Sequence, residues 1–173
     1  VDKFVIVESK FTHSGKKKEL NFNIKNFTKF KDKIIYLVLD HEPQDIDKIN
    51  SSDNENTKNS KYILNGMRRD FYQRNYIING LKDADYDDYV LISDLDEIPN
   101  LEKNNIKNIK SKIIMFKQNF YYYKFNLKLG SFDWYGTRAC KKRNLKSPQW
   151  LRNIKSKKYP IWRIDTLFSK TKV

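Results

Sequence analysis

Cysteine is almost missing from this sequence: Cys140 stands alone among 173 residues. A single thiol forms no internal bridge, so stability does not rest on disulfides, and the compartment is left open. Long apolar runs are missing too. None approaches the roughly 20 residues that cross a bilayer, and no secretory leader is visible at Val1, so any anchor or export signal is expected outside this chain. A secretory or Golgi-like setting is expected if the source is eukaryotic, and a cytoplasmic one otherwise. Gly-rich phosphate loops and internal repeats are also absent, which removes the phosphate-cradling backbone turns as a route to nucleotide binding.

What is present is enough for a core. With 39% hydrophobic residues the chain is expected to form one globular domain over 1–173, and its 11 Tyr, 11 Phe and 3 Trp set it apart from a disordered basic tail. The net charge is +14, from 35 Lys and Arg against 21 Asp and Glu. Such a surface attracts phosphates, nucleotide-linked substrates or acidic lipid. The lysines are spread along the chain among many Asn, Ile and Tyr, as a biased coding composition also produces, so charge alone names no partner.

The most informative stretch is YVLISDLDEIPN, Tyr89 to Asn100. A continuous apolar run, Tyr89 to Ile92, predicts a central parallel strand covered on both faces, ending in Ser93-Asp94-Leu95-Asp96-Glu97. Ligands of open α/β sheets bind beyond the carboxyl ends of strands. On an extended backbone Asp94 and Asp96 point to the same side, with Glu97 a third carboxylate beside them. Carboxylates this close repel unless a cation sits among them, and hard oxygens suit Mg²⁺ or Mn²⁺. The alternative is a set of helix-capping acids. An aspartyl-phosphate phosphatase also begins with DxD, but Glu97-Ile98-Pro99 does not supply its small Gly-Thr-like turn.

Around this motif the chain reads as strand and helix in turn. Lys3 to Val7 predicts a first strand ending in Glu8-Ser9. The loop from Lys10 to Glu19, with Thr12, His13, Ser14, Gly15 and three lysines, is either a holder of phosphate or sugar hydroxyls or a solvated basic turn. Ile24, Phe27 and Phe30 have helical spacing, and Ile34 to Leu39 is a second strand. Residues 44–60 are polar and read as a mobile loop. Tyr62 to Leu81 reads as a helix packed on the sheet through Ile63, Met67, Phe71, Ile77, Ile78 and Leu81, with Arg68, Arg69 and Arg74 along it, mostly facing water. Asp83, Asp85, Asp87 and Asp88 read as solvated cap and loop residues. Beyond the motif come a short helix through Leu101, Ile106 and Ile109 and a strand at Ile113 to Phe116. An aromatic strand follows, with Tyr121, Tyr122, Tyr123 and Phe125, whose rings serve packing or stack on sugars. A turn and strand at Phe132 to Arg138, a helix from Pro148 and a last strand at Tyr159 to Ile164 complete the reading.

Three blocks carry a resemblance: VDKFVIVESKFTHSG at Val1 to Gly15, KIIYLVLDHEP at Lys33 to Pro43, and DDYVLISDLDEIPN at Asp87 to Asn100. In this order they resemble glycosyltransferase family 17, which includes β-1,4-mannosyl-glycoprotein N-acetylglucosaminyltransferase. Weaker agreement runs through Gln73-Arg74-Asn75, Gly80-Leu81, Trp134 to Thr137 and Leu151-Arg152. The resemblance implies a GT-A type, Rossmann-like α/β fold with a mixed or mostly parallel sheet flanked by helices. It also implies an inverting, metal-dependent transfer from a nucleotide sugar, UDP-GlcNAc or UDP-Glc, to a hydroxyl of a glycan or glycoprotein acceptor. By that resemblance Asp94 and Asp96 hold Mn²⁺ or Mg²⁺ on the donor diphosphate, and Glu8, Ser9 and Arg74 are further donor-binding candidates. The catalytic base candidates are Glu97 and Asp133, with Asp165 more remote.

The family's front strand and an Asn-Glu-Leu-Asp-like segment are expected before Val1, and a Gly-Trp-His segment after Val173. The fold is therefore expected to be incomplete at both ends, and activity to belong to a longer protein. The competing readings are a polyanion- or glycan-binding module without turnover and a metal-dependent phosphohydrolase. No specific nucleic acid partner is expected. Asn26 and Asn50 begin Asn-X-Ser/Thr triplets, relevant only in a secretory compartment.

Overall fold

The computed structural model of the chain describes residues 1–123, 126–130, 132–157 and 170–173. The expected strand at 159–164, Asp165 and the ring of Phe125 lie outside the described residues. The fold is mixed α/β, and its contacts divide the chain into two compact units, Val1–Asp83 and Ala84–Val173.

In the first unit, β1 (Phe4–Ser9) and β2 (Ile34–Leu39) pair in parallel, Phe4 opposite Ile34 and Ser9 opposite Leu39. Parallel neighbours need a crossover, and the chain supplies it through a 3-10 stretch, Ile24–Lys33, broken at Phe27. Helix α1 (Glu55–Tyr76) follows, its Asn54 side chain accepting from the Thr57 N–H at 2.8 Å with Glu55 in the first turn. The helix thus begins seven residues before Tyr62, taking in the end of the polar stretch 44–60, because the Asn54 cap outweighs the polarity of the first two turns. Its apolar stripe is not what it buries: Ile63 and Met67 are exposed, whereas Asn65 is buried and brackets Asp47 with two hydrogen bonds. The arginines do not simply face water either. Arg68 bonds Asp47, Arg69 bonds Glu42, and Arg74 bonds Asp70 one turn away.

Where β1 ends, Glu8 anchors the following loop. Its carboxylate accepts from Lys18 Nζ, the N–H groups of Asn21 and Phe22 and the Tyr36 hydroxyl, all within 2.7–2.9 Å. Burial alone would raise its pKa, but these four donors outweigh it and hold the group at about 2, down from 4.5. Burial and then the Glu8 charge push Tyr36 the other way, up to about 12 from 10.0. Glu8 therefore stabilises the fold above pH 4.5, and that contribution is lost as pH falls toward 2; Tyr36 stabilises it below pH 10, lost as pH rises toward 12. Thermal melting should show an acid limb worth about 2 kcal/mol after solvent screening, flattened in Glu8→Gln.

The second unit holds β3 (Tyr89–Ile92), β4 (Ile113–Gln118), a two-residue hairpin β5 (Tyr121–Tyr122) and β6 (Leu127–Lys128), β7 (Trp134–Lys141), α2 (Pro148–Asn153) and β8 (Lys170–Lys172). The main sheet runs β3-β7-β4-β8; β7 is antiparallel to both β3 and β4, and β8 is parallel to β4. The sheet is mixed, as one of the two expectations had it, but among the described residues it is not mostly parallel and Tyr89 to Ile92 is not at its centre. Among the described residues β3 pairs only with antiparallel β7, and the fully buried run is Ile113 to Phe116 on β4. A continuous apolar run signals burial on two faces but carries no information on strand direction, so the two runs look alike until they pair.

The core joins Ile114, Phe116 and Ala139, with Tyr89, Leu91, Leu101, Ile106 and Ile109 against it. Leu101 to Ile109 packs there without becoming the expected helix; only a 3-10 turn forms, Ile106–Asn108. Cys140, next to Ala139 along β7, is also fully buried, and burial pushes its thiol up to about 12. Thiol reagents should leave Cys140 unmodified in the native protein and label it only on unfolding, as mass spectrometry would show.

Candidate active site

Beyond Ile92 the chain stops being a strand. Ser93 Oγ and Thr137 Oγ1 lie 2.7 Å apart across to β7, and Asp94 to Glu97 close a four-residue turn in which the Glu97 N–H donates to the Asp94 carbonyl at 3.1 Å. Asp is favoured at the first position of such turns. Glu97 reaches back, its Oε2 accepting from the Asp94 N–H at 3.0 Å. Asp94 and Asp96 are therefore not successive members of one extended face: the turn pairs Asp94 with Glu97 and presents Asp96 to solvent.

Arg152 completes the arrangement from α2. That helix is short but well started, with the Ser147 hydroxyl accepting from the Trp150 N–H and Pro148 in its first turn. The Arg152 Nη2 donates to Asp94 Oδ2 and to Glu97 Oε1, each at 2.6 Å, while Nη1 donates to the Gly136 carbonyl. Its guanidinium sits 5.9 Å from the Trp134 ring centre, and Trp134 Nε1 donates to Glu97 Oε1 at 3.0 Å. The Glu97 side chain is 6% exposed, Arg152 12% and Asp94 38%, so the ion pair is buried on one side and open on the other. No buried side-chain nitrogen or oxygen among the described residues lacks a partner.

Glycine is required at 136 because a Cβ there would lie 2.4 Å from Glu97 Cδ and Oε1 and 2.5 Å from Gln118 Oε1. Gln118 is itself fixed, accepting from the Thr137 N–H at 2.9 Å and donating to Thr137 Oγ1 at 3.2 Å. The backbone of β7 thus presses against the acidic turn and holds Glu97 in place.

The turn carries three carboxylates, of which Asp94 and Glu97 share the Arg152 guanidinium while Asp96 is exposed. Among the described residues no group of three or more His, Cys, Asp or Glu is arranged to hold a metal ion. Mg²⁺ needs fewer protein donors, since it keeps several waters and takes one or two carboxylates together with substrate phosphates. An exposed Asp96 beside a partly exposed Asp94 fits that donor set.

Each of the other expected site residues has partners of its own. Asp133 is exposed immediately before Trp134, with Lys117 Nζ 2.6 Å from its Oδ1. Glu8, Ser9 and Arg74 belong to the first unit: Glu8 carries the loop described above, Ser9 Oγ accepts from the Phe11 N–H at 3.0 Å, and Arg74 bonds Asp70. His13 contributes its carbonyl to Arg69. The roles of Trp134, Gly136 and Arg152 were not foreseen from composition or spacing; their one signal was the weaker agreement with the family around Trp134 to Thr137 and Leu151-Arg152.

Among the described residues no helix is long and apolar enough to cross a membrane. Comparison with curated proteins found no match, and comparison with solved structures found none. The family model of glycosyltransferase family 17 matches residues 1–152, which takes in both the turn after β3 and Arg152. The chain belongs to glycosyltransferase family 17 and is a transferase that uses a sugar donor and a glycan acceptor.

Proposed function

We propose that this chain carries the donor site of a metal-dependent, inverting glycosyltransferase of GT-A type. It would move a sugar from a UDP-linked donor to a hydroxyl of a glycan acceptor. The observation that carries the reading is the turn after β3, where Arg152 and Glu97 hold Asp94 in place and leave Asp96 open to solvent. Asp94 and Asp96 would hold Mg²⁺ or Mn²⁺. When bound, the cation neutralises charge developing on the departing diphosphate.

The chain's own residues divide the remaining work. Glu97 is a positioning residue: its oxygens bond the Asp94 N–H, Trp134 and Arg152. Arg152 keeps a fixed positive charge beside Asp94, where a leaving diphosphate needs one. Asp133, the accessible one of the two candidate bases, takes the proton of the acceptor hydroxyl. In that step the acceptor oxygen bonds to the anomeric carbon from the face opposite the leaving group. The bond from carbon to diphosphate oxygen breaks, and the nucleoside diphosphate departs with the electron pair.

Transfer of labelled sugar from UDP-GlcNAc and UDP-Glc to an oligosaccharide mixture, with Mn²⁺ or with chelator, tests the reading. Labelled oligosaccharide that forms only with metal supports it; labelled sugar 1-phosphate without any elongated product supports a phosphohydrolase instead. Asp133→Asn should lower kcat roughly a hundredfold while leaving donor KM little changed.

A further inference from the structure

We infer that the rings of Phe120, Tyr122, Tyr123, Phe132 and Trp134 form a stacking platform for a pyranose of the acceptor glycan. The inference deepens, and rests on, the transferase reading. Phe120 is the pivot, its ring centre 5.1 Å from Tyr122, 5.6 Å from Phe132 and 5.8 Å from Trp134, with Tyr122 and Phe132 edge-on to it. Phe132 stacks on Trp134 at 6.1 Å, and Tyr123 extends the row from Tyr122 at 6.1 Å. Rings gathered for a core are covered, yet Tyr122 is 47%, Phe132 46% and Tyr123 99% exposed. Tyr123 is also the one described non-glycine residue with positive φ, +50°, in the turn of the β5–β6 hairpin.

Two observations select a sugar as the occupant. The first is continuity with the acidic turn: Trp134 belongs to the ring cluster and also bonds Glu97 and underlies Arg152, so the platform abuts the donor residues. The second is chemical. A pyranose offers an apolar C–H face and a rim of hydroxyls, and needs flat rings beside both an acceptor and a donor. The hydroxyl of Tyr123, at the exposed end of the row, supplies both.

The test titrates linear β-linked trisaccharides of N-acetylglucosamine, glucose and mannose against the whole chain, with UDP and Mn²⁺ titrated in parallel. Tyr122→Ala and Phe132→Ala, at exposed positions, should each weaken the bound trisaccharide about tenfold, Tyr122→Phe should retain it, and UDP affinity should stay unchanged. Equal binding in the alanine variants, or no binding of any of the three, overturns the platform. So does a dimer in sedimentation that dissociates on the same substitutions, which would make the rings a contact between copies. UDP bound with no trisaccharide removes the platform and leaves the transferase reading standing; a trisaccharide bound with no UDP does the reverse.

Discussion

Arg152→Ala should destabilise the second unit by about 3–5 kcal/mol, the usual cost of leaving a buried carboxylate without its partner. The carboxylate in question is Glu97, which accepts from Arg152 at 2.6 Å with a side chain only 6% exposed. Three further losses accompany it: the bond to Asp94 Oδ2, the bond to the Gly136 carbonyl and the contact with Trp134. Gly136 retains Arg138 Nη1 at 3.0 Å, so its carbonyl is not orphaned and the Glu97 term dominates. Arg152→Lys keeps the charge but not the fork that reaches two carboxylates and a carbonyl, so it should recover only part of the stability. Denaturant unfolding checks both. The double variant Arg152→Ala/Glu97→Gln should recover much of the loss, because the buried charge is then gone too; additive losses would show that the pair is not coupled.

The second large effect falls on Gly136. A methyl group there meets atoms of Glu97 at 2.4 Å and of Gln118 at 2.5 Å. Ends of long side chains usually yield cheaply, but these two are pinned, Glu97 by Arg152, Trp134 and the Asp94 N–H, and Gln118 by Thr137. To make room, Glu97 must give up its bonds in a buried setting. Gly136→Ala should therefore cost about 3 kcal/mol, and Gly136→Val more. Gly130→Ala makes a suitable control, since no atom of the described residues lies within 4 Å of its Cβ position. Equal melting temperatures for the Gly136 and Gly130 variants would contradict the close approach of β7 to the turn.

Much of this site was legible in the sequence, but through different signals. The run from Tyr89 to Ile92 marked a strand and the acids after it marked the strand's end, both local properties of adjacent residues. Arg152 was not legible, because its pairing with Asp94 spans 58 positions and is created by the return of β7 and the placing of α2. Among the described residues the strand sits at the edge of its sheet rather than at its centre, and this was not legible for a related reason. Tyr89 to Ile92 and Ile113 to Phe116 are both continuous apolar runs, and only pairing shows that the second lies inside the sheet. Glu8 was read from its place at a strand end, as Asp94 was; its four donors come from Lys18, Asn21, Phe22 and Tyr36, which no spacing rule brings together. The start of α1 was hidden because its first two turns are polar, and a cap such as Asn54 is harder to see than an apolar stripe.

The central claim is that Asp94 and Asp96 hold a divalent cation on a nucleotide diphosphate. Calorimetric titration of UDP in the presence of Mn²⁺, Mg²⁺ or chelator, on the wild-type chain and on Asp94→Ala/Asp96→Ala, tests it most directly. The account predicts UDP binding that requires the metal and disappears in the double variant while the fold, read by circular dichroism, persists. UDP binding that survives the chelator or the loss of both aspartates would contradict it.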